Sequence, residues 1–445
     1  MKLVEQTDDA LAVGISNSKS AIDRFRSVIG RIPLPNIAGT VGTQLGMFGL
    51  HALHSVILAR LLDPHGRGEY GTAVLFTQLL MYSGMLGTSF SIARRAGKSS
   101  DGLNALGNAS LRVGVVTGLI SFAVVCLLAL FALPDSKAYL APLCIANALL
   151  LPFEHARLAL LAVDHGSGAF RRYNVNRLIA AIAFPILLGI AWGLGAVSVQ
   201  TATWLSVLTT VIALGALLKT HNNVRLFQTA DPPIRTLLHE GMPYATSYFA
   251  AQLLGRIDTL LVLWLLNFTD QGYYAVAIAA SSLMQVVPNA LSLFSFNLGA
   301  SKKGKLSERK MFAAGGGVLV AQLVSAVGMA FLLIYCLPLI FGEKFVQATP
   351  FAIALLPGLA IDGLATVAEG YLRGCGRPLS TLMPRTLGAI TLVIAAYFLF
   401  PTWNSLSIPI ASSIAHSVSG FAILGMVILY QNNKLTSQQE PPSKK

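Results

Sequence analysis

Residues 59–73 read ARLLDPHGRGEYGTA, and 204 residues further along, residues 263–277 read LWLLNFTDQGYYAVA. Leu61/Leu265, Leu62/Leu266, Gly68/Gly272, Tyr70/Tyr274 and Ala73/Ala277 coincide. Each stretch is a short polar, glycine-bearing turn set between long apolar runs. Leu and Ala are common here, so five identities in fifteen positions suggest a duplication without proving one.

The runs flanking these turns fix the class. Of 445 residues, 54% are apolar and only 11% charged, with a mean hydropathy of +0.65. A soluble domain needs about 25% charged residues to cover its surface. That excludes a soluble enzyme, a disordered chain and a disulfide scaffold. Twelve membrane helices of roughly 20 residues would use about 240 residues and leave the rest for loops and tails.

Apolar runs bounded by charges, Gly or Pro give twelve candidate spans. They are 36–58, 70–92, 113–133, 138–163, 178–197 and 200–218, then 242–266, 273–300, 316–340, 346–372, 379–400 and 406–430. The repeat shift covers six spans, an even number, so the halves share one orientation, related by an axis along the membrane normal. The expected organisation is a tail (1–35), a six-helix lobe (36–219), a cytoplasmic linker (220–240) containing Asp231-Pro232-Pro233, a second six-helix lobe (241–431) and a second tail (432–445). In outline, this is an all-α polytopic membrane protein with two lobes around a central cavity.

Charge tests the count. The net charge of +13 and pI near 9.7 would suggest nucleic acid in a soluble protein, but in a membrane protein they report orientation. With the N-terminus cytoplasmic, 26 of the 32 Lys and Arg residues fall on the inner side. Arg172 and Arg177 belong to this set, as does Arg385, placed within snorkelling reach of the inner surface. Arg60, Arg67, Lys137 and Lys344 fall outside, and Arg157 and Arg256 within spans. One helix more or fewer in the first half would destroy that bias. Both termini are therefore expected to be cytoplasmic, in a multi-pass protein of the cell (inner) membrane. Residues 1–35 interleave Ile22, Phe25, Val28 and Ile29 with arginines. That pattern suits an interfacial helix on an anionic leaflet, and equally a plain basic tail.

Charges at bilayer depth are costly and normally face water or a partner. Glu154, Arg157, Arg256, Asp258, Asp362 and Glu369 lie well inside spans. Glu154 and Arg157, three apart, can neutralise each other; Arg256 and Asp258, two apart, point in different directions. Polar stripes occupy the first two spans of each half: Thr40, Gln44, His51 and His54; Gln78, Tyr82 and Ser89; Tyr248, Gln252 and Arg256; Ser282, Gln285, Asn289 and Ser292, with Pro288 able to bend the last. Any single stripe could be interhelical hydrogen bonding; four in equivalent places point to a wet cleft. His416, alone in the last span, reads as structural.

The spacing excludes other chemistry. Cys126, Cys144, Cys336 and Cys375 are scattered, without disulfide or zinc spacing. No phosphate loop, GxSxG or HExxH occurs, and the outer loops are short. No enzyme, metal or cofactor is expected.

Several segments resemble the Wzx-like polysaccharide and O-antigen flippases of the multidrug/oligosaccharidyl-lipid/polysaccharide exporter superfamily. ILARLLDPHGRGEYGTAVLF (57–76) is similar to that family's AR-x-LGP-x-x-xG-x-Y segment. GMPYATSYFAAQLLGRIDTLLVLWLLNFTDQGYYAVA resembles its Pro-containing helix with D-x-LL and G-x-Y-x-VA. FGEKFVQATPFAIALLPGLAIDGLATVAEGYLRGCGRP resembles its FG-x-x-F start and G-x-GRP end. Asp63 stands where the family commonly has Gly, a departure expected to matter little.

The resemblance implies a V-shaped, two-lobed bundle that moves a lipid-linked oligosaccharide between leaflets for exopolysaccharide, capsule or O-antigen synthesis. Its partners would be the lipid-linked glycan, membrane lipids, and a polysaccharide polymerase with export machinery; no nucleic acid is implied. Substrate-binding candidates are Arg157, Arg256, Gln252, Tyr248, Gln285, Asn289, His51 and Gln44. Coupling or ion-pair candidates are Asp258, Glu154, Asp362 and His54. The rival readings are a cation-coupled small-molecule exporter of the same superfamily and a membrane glycan polymerase.

Overall fold

In the computed structural model, residues 34–98, 102–228, 231–300 and 308–439 are described, so the expected interfacial segment of the tail lies outside them. The first lobe holds α1 (Leu34–Ser83), α2 (Thr88–Ala96), α3 (Leu103–Phe131), α4 (Ala141–Ala148), α5 (Leu150–Gly166), α6 (Phe170–Gly193) and α7 (Val199–Thr220). The second holds α8 (Ile234–Leu265), α9 (Phe268–Ser281), α10 (Val286–Ala300), α11 (Glu308–Phe341), α12 (Ala348–Gly374), α13 (Leu382–Trp403) and α14 (Ser407–Gln439). Nine helical stretches among the described residues are long and apolar enough to cross a membrane. Two of them, Gly42–Ser83 and Leu379–Tyr430, each carry two passes. With α8 these give the expected twelve.

Breaks within passes have local causes. α1 reverses at Asp63 (φ 57°, ψ 173°), immediately before Pro64. A left-handed φ is where glycine would be unstrained, so the family's usual residue there is explained. The Asp63 carboxylate accepts Lys344 Nζ of the other lobe at 2.9 Å, in an exposed pair. The second pass bends at Leu86 and Gly87, both with positive φ. The eighth breaks in a 3₁₀ turn, Ser282–Gln285, just ahead of Pro288, which has no N–H to continue the ladder.

The lobes meet where the repeated turns cross. A Cβ on Gly68 would collide with the Phe268 carbonyl oxygen, and a Cβ on Gly272 with the Pro64 carbonyl oxygen. Position 64 corresponds to 268 and 68 to 272, so each contact is the other reversed. That reciprocity is what a twofold axis produces. Thr72 Oγ1 to Gln271 Oε1 (2.9 Å) extends the crossing by one turn.

On this hairpin face, cations of the first lobe cap helix ends of the second. Arg60 donates to the Ile340 and Leu339 carbonyls at 2.7 and 2.5 Å, closing α11. Buried Lys137, in the α3–α4 turn, donates to Leu263 and Leu266 at 2.5 and 2.6 Å, closing α8. Both use the negative end of the helix dipole. On the opposite face, where α1 begins and α14 ends, α2 packs on the start of α8. There Ser91 Oγ donates to Leu237 O (3.0 Å) and Arg95 grips Glu240 at 2.8 and 2.5 Å. Those hydrogen bonds hold the Glu240 carboxyl below its usual range. The latch therefore contributes fully above the ordinary carboxylate pKa and is lost as pH falls through the lowered value.

Gly68→Ala and Gly272→Ala should each destabilise the protein by roughly 1–3 kcal/mol, the range for forcing atoms into a packed contact. Gly71→Ala, on the same helix but facing open space, should leave stability unchanged or raise it by up to about 1 kcal/mol. Thermal unfolding in detergent checks this, and equal melting temperatures for all three would refute the crossing.

Candidate substrate cleft

Arg256 lies in the second half of α8, near the middle of the seventh span. Its Nη1 reaches across the lobes to Gln78 Oε1 of α1 at 3.0 Å, and among the described residues no carboxylate pairs with it. Asp258, two residues on, faces away as that spacing requires. It is buried, accepting hydrogen bonds from Tyr274 OH (2.7 Å), Ser412 Oγ (3.4 Å) and the Thr259 amide (2.6 Å). Gln252 precedes Arg256 by one helical turn on the same face. The Tyr248 and Thr40 side chains lie outside the described residues.

Arg157 behaves differently. Its Nε and Nη2 donate to Glu154 at 2.8 and 2.5 Å, within a buried pair that is neutral overall. Only Nη1 lacks a partner. Glu154 and Arg157 thus satisfy each other on one helix face.

Arg385 overturns its sequence reading. Rather than snorkelling to the surface, it is buried and bridges α12, donating to Glu369 Oε1 (2.7 Å) and Asp362 Oδ1 (2.5 Å). Arg373 adds a second bond to Glu369 at 3.0 Å. His416 Nδ1 approaches Asp362 to 3.3 Å, and Gln285 Nε2 donates to Leu359 O at 3.0 Å. Two acids seven residues apart on one helix face are thereby matched by two guanidiniums. Asn289, next on the Gln285 stripe, is exposed.

In the first lobe, the α1 stripe meets a residue that sequence reasoning assigned to an inner loop. Arg177 Nη2 donates to Gln44 Oε1 at 2.8 Å, and its guanidinium lies 5.1 Å from the Tyr173 ring centre. No acid pairs with it among the described residues. Further along the stripe, His51 is exposed and His54 stacks on Phe184 at 4.2 Å. The missed signal was available: Arg177 is two turns inside α6, well clear of that helix's start at Phe170. Tyr82 and Ser89 of the α1–α2 stripe line a hollow of about 170 Å³ with Ser83, Gly87, Phe90 and Ala245. A larger one, about 470 Å³, opens at the terminal face beside Arg94, Arg95, Lys98 and Glu240.

The arginines thus divide into compensated and uncompensated groups. Arg385→Ala would leave buried Glu369 to the exposed Arg373 and half-buried Asp362 to His416 alone, and should cost about 3 kcal/mol. Arg256→Ala removes only a bond to a neutral amide and should change stability by less than about 1 kcal/mol. Melting temperatures of the two purified variants test the division, which fails if they fall together.

Known proteins bear on this geometry. None of the curated proteins matches the chain. Among solved structures, it resembles the lipid II flippase MurJ in its inward closed conformation, with a TM-score of 0.68, 15% identity, and 89% of this chain and 87% of that one covered. An inward-facing multidrug resistance MATE family transporter of the MOP superfamily gives a TM-score of 0.69 at 14% identity, covering 90% of this chain and all of that one. The eukaryotic MATE transporter AtDTX14 gives 0.62 at 13%, covering 89% and 95%. At such identities the likeness establishes the fold. Sequence itself matches the family described as polysaccharide biosynthesis protein over residues 34–293, more than half the chain. By that match, the protein belongs to the polysaccharide biosynthesis protein family.

Proposed function

We propose that the protein is a flippase carrying polyprenyl-diphosphate-linked oligosaccharide from the inner to the outer leaflet of the cytoplasmic membrane by rocking of its two lobes. In this reading the terminal face is cytoplasmic and the hairpin face external. The observation that carries it is Arg256, a guanidinium near the middle of its span that donates to a neutral glutamine of the opposing lobe. A guanidinium without an acid is available for a diphosphate, which it binds in bidentate, charge-assisted fashion. Gln44, His51, Gln252 and Asn289 offer hydrogen bonds to sugar hydroxyls. Arg177, held by Gln44, adds a second cation nearer the cytoplasmic end.

Energetics favour the direction. Moving negative charge out of a negative interior is downhill by about 2.3 kcal/mol per charge per 100 mV. The potential alone therefore drives a diphosphate outward, and no bond is made or broken by the protein. A polysaccharide polymerase and export machinery would receive the product.

A cation-coupled small-molecule exporter is the second reading, and one observation favours it. Asp258 is a buried carboxylate that accepts from neutral donors, Tyr274, Ser412 and the Thr259 amide, so its charge is open to a proton or cation. The two separate on their cargo. Arg256→Ala should cut lipid-linked glycan export about 10- to 100-fold, the loss of one to two hydrogen bonds to a charged group, with abundance unchanged. Arg256→Lys should retain part of it. Cells lacking the protein should accumulate complete lipid-linked repeat units on the inner leaflet; loss of toxin resistance with no such accumulation would establish the exporter instead.

A further inference from the structure

Arg67 plays no part in the interactions above, yet it sits at the junction of the lobes. It precedes Gly68, the residue whose missing Cβ lets the hairpins cross. Its guanidinium carbon lies 5.7 Å from the Tyr70 ring centre. Its Nε is buried without a hydrogen-bond partner. Among the described residues no carboxylate pairs with it; nearby Glu69 is taken by His65 and Tyr139. It lies close enough to His54, on the α1 polar stripe, to act on it electrostatically.

Helix geometry relates it to the cleft. Arg67 and Gln78 are eleven residues apart on the same arm of α1. At about 100° and 1.5 Å per residue they share a face, roughly 16 Å apart along the axis. Gln78 is the residue that holds Arg256. Arg67 therefore points along the wall that Arg256 touches, one station nearer the hairpin face. A half-buried cation with an unused donor and no anion is incomplete as a structural element. It becomes satisfied when a phosphate oxygen arrives.

We infer that Arg67 is a second phosphate-binding station of this carrier, which takes the diphosphate over from Arg256 and couples its arrival to opening of the hairpin face. This rests on the flippase reading. The coupling is local. An anion drawn to Arg67 adds bulk and charge beside the Gly68–Phe268 contact, the tightest point of the closed face. It also satisfies the guanidinium only once the cargo has passed the midpoint, so opening waits for the load.

The test uses the full-length protein in nanodiscs, with free cysteines replaced and spin labels at L194C and W403C, exposed positions on the hairpin side of either lobe. Undecaprenyl diphosphate is the probe. Wild type should bind it and show a longer inter-label distance on binding. R67Q should bind within about 3-fold of wild type, keep the short distance, and translocate at least 10-fold more slowly in proteoliposomes. R67K should recover part of both. R67Q should melt no lower than wild type, since it loses an uncompensated charge. R67Q that opens and translocates like wild type overturns the inference, as does R67Q that loses binding as completely as R256Q. If wild type binds no polyprenyl diphosphate, the flippase reading falls and this inference with it; if binding depends on Arg256 but opening ignores Arg67, only the inference falls.

Discussion

Two backbones touch at the centre of this molecule because two residues have no side chain. The Phe268 carbonyl occupies the place of a Cβ on residue 68, and the Pro64 carbonyl the place of one on residue 272. The rest of the hairpin face follows from that approach. Once the turns are this close, Thr72 reaches Gln271, Arg60 reaches the end of α11, Lys137 reaches the end of α8, and Lys344 reaches Asp63. These are a bond between neutral side chains, bonds to backbone carbonyls and one exposed charge pair, individually modest. The larger apolar clusters join helices of both lobes: Ala59 packs with α9, α11 and α12 of the second lobe, Leu237 with α2, α3 and α5 of the first, and Leu263 with α1, α3 and α5 of the first.

Charge accounting separates the arginines that build the protein from those free to bind. A guanidinium buried against a carboxylate has spent its donors and stabilises only while its partner remains. Arg157 and Arg385 are of that kind. Arg256 and Arg177 are held by glutamines, which orient a cation without cancelling it. Position within a span alone would have ranked Arg157 and Arg256 together; their partners place them in different classes.

The twelve passes were legible because hydropathy and the Lys/Arg bias both depend on the bilayer, which acts on every residue alike. The 204-residue repeat was legible for another reason: the crossing leaves no room for a Cβ at 68 or 272, so both halves carry glycine at the same place. Side-chain destinations were less legible. Arg385 lies near the end of its span, where a long side chain can run either to the surface or inward. Only the acids of α12, distant in sequence, decide it. Glu154–Arg157 could be anticipated, since both ends of that pair sit on one helix. The positive φ of Asp63 and its pairing with Lys344 across the interface were invisible in the sequence, since the backbone conformation and the partner are both set by the fold.

The repeat also shows how the two walls of the cleft diverged. Tyr70 and Tyr274 occupy equivalent positions, as do His54 and Asp258. In the second lobe Tyr274 donates to Asp258, sealing an acid beneath the surface. In the first, Tyr70 lies under Arg67 and His54 stacks on Phe184, leaving that wall without an acid at the same depth. Arg177 belongs to the first lobe, and Arg256, though anchored in the second, extends to Gln78 of the first. The cationic surface is therefore one-sided. Both uncompensated guanidiniums thus end on glutamines of the first lobe, whereas the acid of the second, Asp258, is met by the hydroxyls of Tyr274 and Ser412.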